Sequence, residues 1–181
     1  MKQLLLKHIA LLSFLLLGST QINAQNFSGL DKSPMDAAAF PASYQESNKL
    51  IKIVYSRPQL KGRAMSDLVP EGKVWRTGAN EAAELTLYVD MMLGETKIPA
   101  GTYTFYVMPN GDTWTAIISK DLNVWGSYFY KQENDVARLE VPVMKTEDAL
   151  EAFSIAFEES DNGVDMFLGW GITRAKVPFT K

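Results

Sequence analysis

Five arginines serve the whole 181-residue chain, and three of them, Arg57, Arg63 and Arg76, fall within 20 positions. They stand in two stretches, YSRPQLKGR (55–63) and KVWRTGANEAAE (73–84), close to Trp75, Asn80 and Glu81. A guanidinium presents five N–H donors in a planar fork that suits a carboxylate, a phosphate or sugar hydroxyls. An indole adds a flat apolar face on which a sugar ring stacks. A second group, DLNVWGSYFYKQENDVAR (121–138), sets Trp125, Tyr128, Phe129 and Tyr130 ahead of Asp135 and Arg138. Aromatic rings beside acids and arginine suit a carbohydrate or peptide groove. The candidate ligand-binding residues are therefore Arg57, Arg63, Trp75, Arg76, Asn80, Glu81, Trp125, Tyr130, Asp135 and Arg138. Each group also has a purely structural explanation. Arg76 can pair with Glu81, Arg57 with Asp135 or Glu84, Asn80 can bond its own backbone, and the rings can close one end of a core.

Other chemistry is restricted by what the chain lacks. It opens MKQLLLKHIALLSFLLLGSTQINAQ, with Lys2 and Lys7 ahead of an apolar run from Ile9 to Leu17 and small or polar residues up to Ala24. That layout is expected to be a secretory signal peptide cut after Ala24. The run falls short of the roughly 20 apolar residues a membrane span needs. No cysteine follows it to carry a lipid anchor. Export would remove His8, the single histidine, and the chain has no cysteine. The mature protein, periplasmic or secreted, is then expected to have neither imidazole nor thiol. Serine–histidine, cysteine–histidine and histidine-rich metal sites are excluded on that basis. Without Lys2 and Lys7, 16 of the 18 basic residues face 21 acidic ones, a net charge of −5. Nucleic acid is not an expected partner for such a surface.

Carboxylate chemistry survives: Glu81 and Asp135 could act as a glycosidase-type acid and base. Ser56 and Lys61 make a possible dyad without a supporting motif. Asp161-Asn162-Gly163 reads better as a turn than as a calcium loop. No glycine-rich phosphate loop is present, and no cofactor is expected.

The elements that must hold these groups follow a period of two. Ile51 to Tyr55 reads as a strand, and alternating apolar positions recur at Leu85-Leu87-Val89, Tyr103-Phe105-Val107, Trp114-Ala116-Ile118, Leu139-Val141-Val143, Phe153-Ile155-Phe157, Met166-Leu168-Trp170 and Ala175-Val177-Phe179. Asn110-Gly111 and Asp161-Asn162-Gly163 carry hairpin-turn chemistry. About eight short strands predict an all-β, antiparallel β-sandwich, jelly-roll-like or an open barrel. Residues 25–48 read as an irregular N-terminal arm, ordered in part by Met35, Phe40 and Tyr44, and residues 49–181 as a single domain. Thr146 to Ala152 is the one helical candidate, and could equally be a loop.

The chain resembles the family known as domain of unknown function 2911, found in secreted and envelope proteins of Gram-negative bacteria. The resemblance rests on LDKSPMD (30–36), YSRPQLKGR (55–63), LVPEGKVWRTGANEA (68–82), PAGTYTFYVMP (99–109), WTAIISKDLNVWGSYFY (114–130), DVARLEVPV (135–143) and GWGITRAKVPF (169–179). The combination YSRP…GR…VWRTGANE is nearly diagnostic. The family pattern has an acid after the tryptophan of the last segment, where this chain has Gly171. The resemblance implies an exported or envelope protein and names no activity. Three functions stay open on the residues: a binding module for a small or glycan-like ligand, a structural or interaction domain of the envelope, and a carboxylate hydrolase.

Overall fold

The computed structural model describes residues 26–181; the expected signal peptide lies outside them. Among these residues nine strands run in the order β1 (Met35–Phe40), β2 (Ile51–Ser56), β3 (Ala83–Leu87), β4 (Met91–Leu93), β5 (Thr96–Ile98), β6 (Gly101–Asn110), β7 (Thr113–Ser119), β8 (Asp135–Ser160) and β9 (Gly163–Thr180). Among the described residues, one short helix, α1 (Met65–Leu68), and a 3₁₀ turn at Gln132–Asn134 complete the elements. The expected all-β antiparallel class is what forms. The strands join one open sheet in the order β1-β2-β3-β6-β7-β8-β9-β4-β5.

The period-two positions account for the core. Leu85 and Leu87, Phe105 and Val107, Trp114, Ala116 and Ile118, Met166, Leu168 and Trp170, and Ala175, Val177 and Phe179 are all buried in one cluster. Two-residue turns follow the predicted sites: β6 and β7 join around Gly111 (φ +61), β8 and β9 around Asp161-Asn162. Glycine at 111 holds a left-handed conformation that other residues resist.

Three features differ from the sequence reading. The N-terminal arm supplies an edge strand: β1 pairs with β2 from Met35↔Ser56 to Phe40↔Ile51. Phe40 packs on the core, whereas Met35 and Tyr44 stay exposed. Four of the expected short strands are the halves of two long ones. The first part of β8 pairs with β7 and the remainder with β9. The helical candidate at Thr146–Ala152 is instead the irregular middle of β8, where its register against β9 shifts twice between Lys145 and Ser154. β9 bends opposite that irregularity at Gly171, whose φ is +53. Bulges and bends of this kind let one strand serve two parts of a curved sheet.

Candidate functional site

The register of β6 positions the first motif. Trp75 pairs with Val107 and Ala83 with Phe105, so residues 76–82 loop out opposite Tyr106. The loop is closed at its neck by the Ala83 N–H, which donates to the Arg76 carbonyl at 3.0 Å. Thr77 (φ +54) and Asn80 (φ +59) shape it, and the Trp75 indole N–H caps the Gly78 carbonyl at 3.2 Å. Gly78 lies flat on β2: a Cβ there would sit 3.0 Å from the Ser56 carbonyl oxygen.

The second motif sits directly on the first. Ala82 N–H donates to Val124 O at 3.0 Å, Gly126 N–H to Asn80 O at 2.9 Å, and the Ser127 hydroxyl to Val74 O at 2.8 Å. Glu81 and Trp125 form an antiparallel bridge. Two stretches some 45 residues apart in sequence thus become one double loop on a rigid sheet, the usual place for binding groups. The far end of the second loop is tied down as well. Asn134 donates to Asp121 Oδ1 at 2.7 Å, and Thr104 donates to the Asp121 carbonyl at 2.6 Å.

The candidate residues separate into three kinds. Trp75 is core: its ring stacks on Trp170 at 5.8 Å and meets Phe153 at 4.9 Å and Trp114 at 6.4 Å. It offers no face to a ligand. Arg57 and Arg63 are spent on the fold. Arg57 donates to Asp36 (3.0 Å), Ser154 (2.8 Å) and the Phe153 carbonyl (3.1 Å), joining β1, β2 and β8. Its carboxylate partner is Asp36, and neither Asp135 nor Glu84. Arg63 donates to the carbonyls of Leu60 and Gln59. Ser56 is buried and makes no side-chain hydrogen bond to Lys61 among the described residues; the Lys61 backbone N–H donates to Glu151 Oε1 at 2.6 Å.

Tyr130, Asp135 and Arg138 make a compact node. Asp135 Oδ2 accepts from the Tyr130 hydroxyl at 2.6 Å and from Arg138 at 2.7 Å, and Arg138 also donates to the Tyr130 oxygen at 2.9 Å. The Asp135 side chain is 7% exposed, and its Oδ1 is buried without a partner among the described residues. Tyr130 meets Tyr106 edge-on at 5.3 Å. Tyr106 and Ile117 lie outside the main core cluster yet are buried. A small second core therefore sits under the double loop.

The third kind is accessible. Trp125, Tyr128 and Phe129 are 57%, 76% and 80% exposed. Gly126, at φ +69, lets the Tyr128 ring lie over its Cα; a Cβ there would approach the ring to 2.6 Å. Glu81 is exposed and lines a shallow groove of about 260 Å³ with Met35, Val54, Glu84, Thr104 and Val124. Arg76 is half-buried. Its Nε is enclosed without a partner, and it makes no ion pair with Glu81 or any other described residue.

A family model described as protein of unknown function (DUF2911) matches residues 36–179. The chain belongs to the DUF2911 family. No curated protein and no solved structure matches it. In this DUF2911 chain the departure at Gly171 falls on the bend of β9, where Arg174 donates to the Gly171 carbonyl at 2.9 Å. Among the described residues no three acids or histidines gather as a metal site, and no helix is long and apolar enough to cross a membrane. Sequence reasoning missed Tyr106, Asp121 and Asn134, which shape the second core. Tyr106 reads as an outward position of β6, and no local pattern shows that a loop from elsewhere covers it.

The node has a measurable titration. Burial, and for Tyr130 also the hydrogen bond to Asp135, pushes both Tyr106 and Tyr130 up to about 12. Their folded pKa values exceed the unfolded value of about 10, so the unfolded chain releases these protons first. Their contribution to stability is complete below about pH 10 and is lost as pH rises towards about 12. Burial raises Tyr55 and Tyr103 as well, so phenolate absorbance should show four of the seven tyrosines ionising late, with Tyr106 and Tyr130 the most shifted, and the urea midpoint should fall across that window. Tyr130→Phe should remove one late ionisation.

Four tryptophans also give a simple optical prediction. Trp75, Trp114 and Trp170 are buried and Trp125 is exposed. Acrylamide should quench essentially one of the four, and Trp125→Phe should abolish that accessible fraction while leaving the melting temperature within about 2 °C, as for a surface change.

Proposed function

We propose that the protein is exported and works as a binding module for a glycan-like ligand, with the double loop as its platform. The observation that carries this reading is the set of three neighbouring aromatic side chains, Trp125, Tyr128 and Phe129, exposed on a loop that is bonded to its neighbour by two backbone hydrogen bonds and the Ser127 hydroxyl. Exposed apolar rings gathered on one loop mark an interaction site. Pinned rings stack on a sugar with little loss of conformational freedom. Glu81 and Arg76 stand in the same double loop, ready to bond hydroxyls. Catalysis by Glu81 and Asp135 is disfavoured because Asp135 Oδ2 is already held by Tyr130 and Arg138.

Isothermal titration with neutral oligosaccharides of two to six sugars tests this reading, alongside Trp125 emission. Binding should shift and quench that emission, and Trp125→Ala should weaken affinity by about tenfold or more, on the scale of a lost stacked ring, with the fold intact. Absence of heat and of any spectral change across the series would refute a neutral glycan ligand. A second reading, an interaction domain of the envelope, draws on Arg57, Arg63 and Trp75, whose roles are internal. On that reading the exposed rings meet a protein surface, and Trp125→Ala weakens co-purification with an envelope protein and no sugar binds.

A further inference from the structure

The guanidinium of Arg76 is the unexplained charge of the double loop. Arg57 and Arg138 each hold a carboxylate, at 3.0 and 2.7 Å, and Arg63 is bonded to two carbonyls. Arg174 likewise donates to the carbonyls of Gly171, Thr173 and Asp148. Arg76 alone among the five has no such partner in the described residues, although its Nε is fully enclosed. The pairing Trp75↔Val107 puts Trp75 on the core face, so its neighbour Arg76 belongs to the opposite face, beside Tyr106. That is the face the second loop covers: Tyr106 meets Tyr130, and Ser127 bonds to Val74 two residues from Arg76.

An enclosed stem fixes the direction of the fork before any ligand arrives, and preorganised donors bind an anion more tightly than a free side chain does. Asp135 makes no ion pair with it: its Oδ2 is held by Arg138 and Tyr130, and its Oδ1 has no partner among the described residues. Glu81 forms a bridge with Trp125 through its backbone and lines the groove with Met35 and Val54. We propose that Arg76 is the charge-reading residue of the double loop and that the ligand is a sugar carrying a carboxylate, its ring stacked on the exposed aromatics and its acid bonded by the Arg76 fork. This rests on the glycan reading above and adds to it a definite ligand class.

Matched pairs separate the two. Short oligomers of galacturonic and of glucuronic acid are titrated into the full-length exported protein at low salt, each against its methyl ester, which keeps the sugar and removes the charge. The acid should bind at least about tenfold tighter than its ester, the scale of one charge-assisted bond, and the advantage should shrink as salt rises. Arg76→Gln should bring the ratio close to one without changing affinity for the ester. Arg76→Lys, which keeps the charge and loses the fork, should retain part of the preference. If Arg76→Gln does not fold, the acid–ester ratio in the wild type and its salt dependence still decide the matter. Equal binding of acid and ester overturns the assignment of Arg76 and leaves the glycan reading standing. Binding of neither overturns both.

Discussion

Trp75→Ala should lower the free energy of unfolding by about 3–5 kcal/mol, the range for removing a buried aromatic ring. The ring is packed on three sides by Trp170, Phe153 and Trp114, and these are large, mutually engaged rings that cannot collapse into the space. The loss also leaves the Gly78 carbonyl without its indole donor, so the loop that carries Arg76 loosens with the core. Trp75→Phe keeps much of the packing and gives up the donor, so its loss should be smaller. Urea denaturation of both variants checks this, and a loss under about 1 kcal/mol for Trp75→Ala would mean that the ring is not a core element. The contrast with Trp125 is the useful part. The same residue type, in each case followed by a tight turn, should yield a fold defect at position 75 and a binding defect at 125.

Gly163→Ala should be at least as severe, with little soluble protein or a stability loss beyond about 4 kcal/mol. β9 turns so sharply at Gly171 that its two ends approach one another. A Cβ on Gly163 would run into the Phe179 carbonyl oxygen and lie 2.8 Å from the Thr180 Cα. Both obstacles are backbone, and Lys181 N–H is bonded to Asn162 O at 3.0 Å across the same junction. No side chain can move aside to make room. Gly29→Ala is the control, since nothing lies within 4 Å of a Cβ there. Soluble yield and melting temperature of the two alanine variants, compared side by side, test the close approach directly; similar values for both would show that the ends of β9 do not meet.

The strands were legible because side-chain alternation is a local property. Phe105 and Val107 face one way on any extended backbone, whichever neighbour they pair with, and all the positions named for β3, β6 and β7 in the core are buried except Val89 and Tyr103, which are partly so. β1 escaped notice because MDAAAF has no apolar–polar contrast to read. The long β8 and β9 were divided because their broken middles, Lys145 to Ser154 and Gly171, look like turns at the level of neighbouring residues. A turn and a bend use the same backbone conformations, and only the pairing partner on each side tells them apart.

Composition and spacing by themselves determined the class of fold and which residues could bond a ligand, since these depend on side-chain chemistry and on the period of the backbone, while the likeness to DUF2911 rests on particular motifs such as YSRP and VWRTGANE. Tertiary structure alone decided what each of those residues does. Trp75 and Trp125 carry the same indole, and strand register turned one to the core and left the other in solvent. Arg57 found Asp36, 21 residues upstream, rather than either acid named for it, because β1 pairs beside β2. The joining of residues 74–82 to 124–127, and with it the unpaired Arg76, follows from contacts between distant segments, whose free energy depends on the whole sheet being in place.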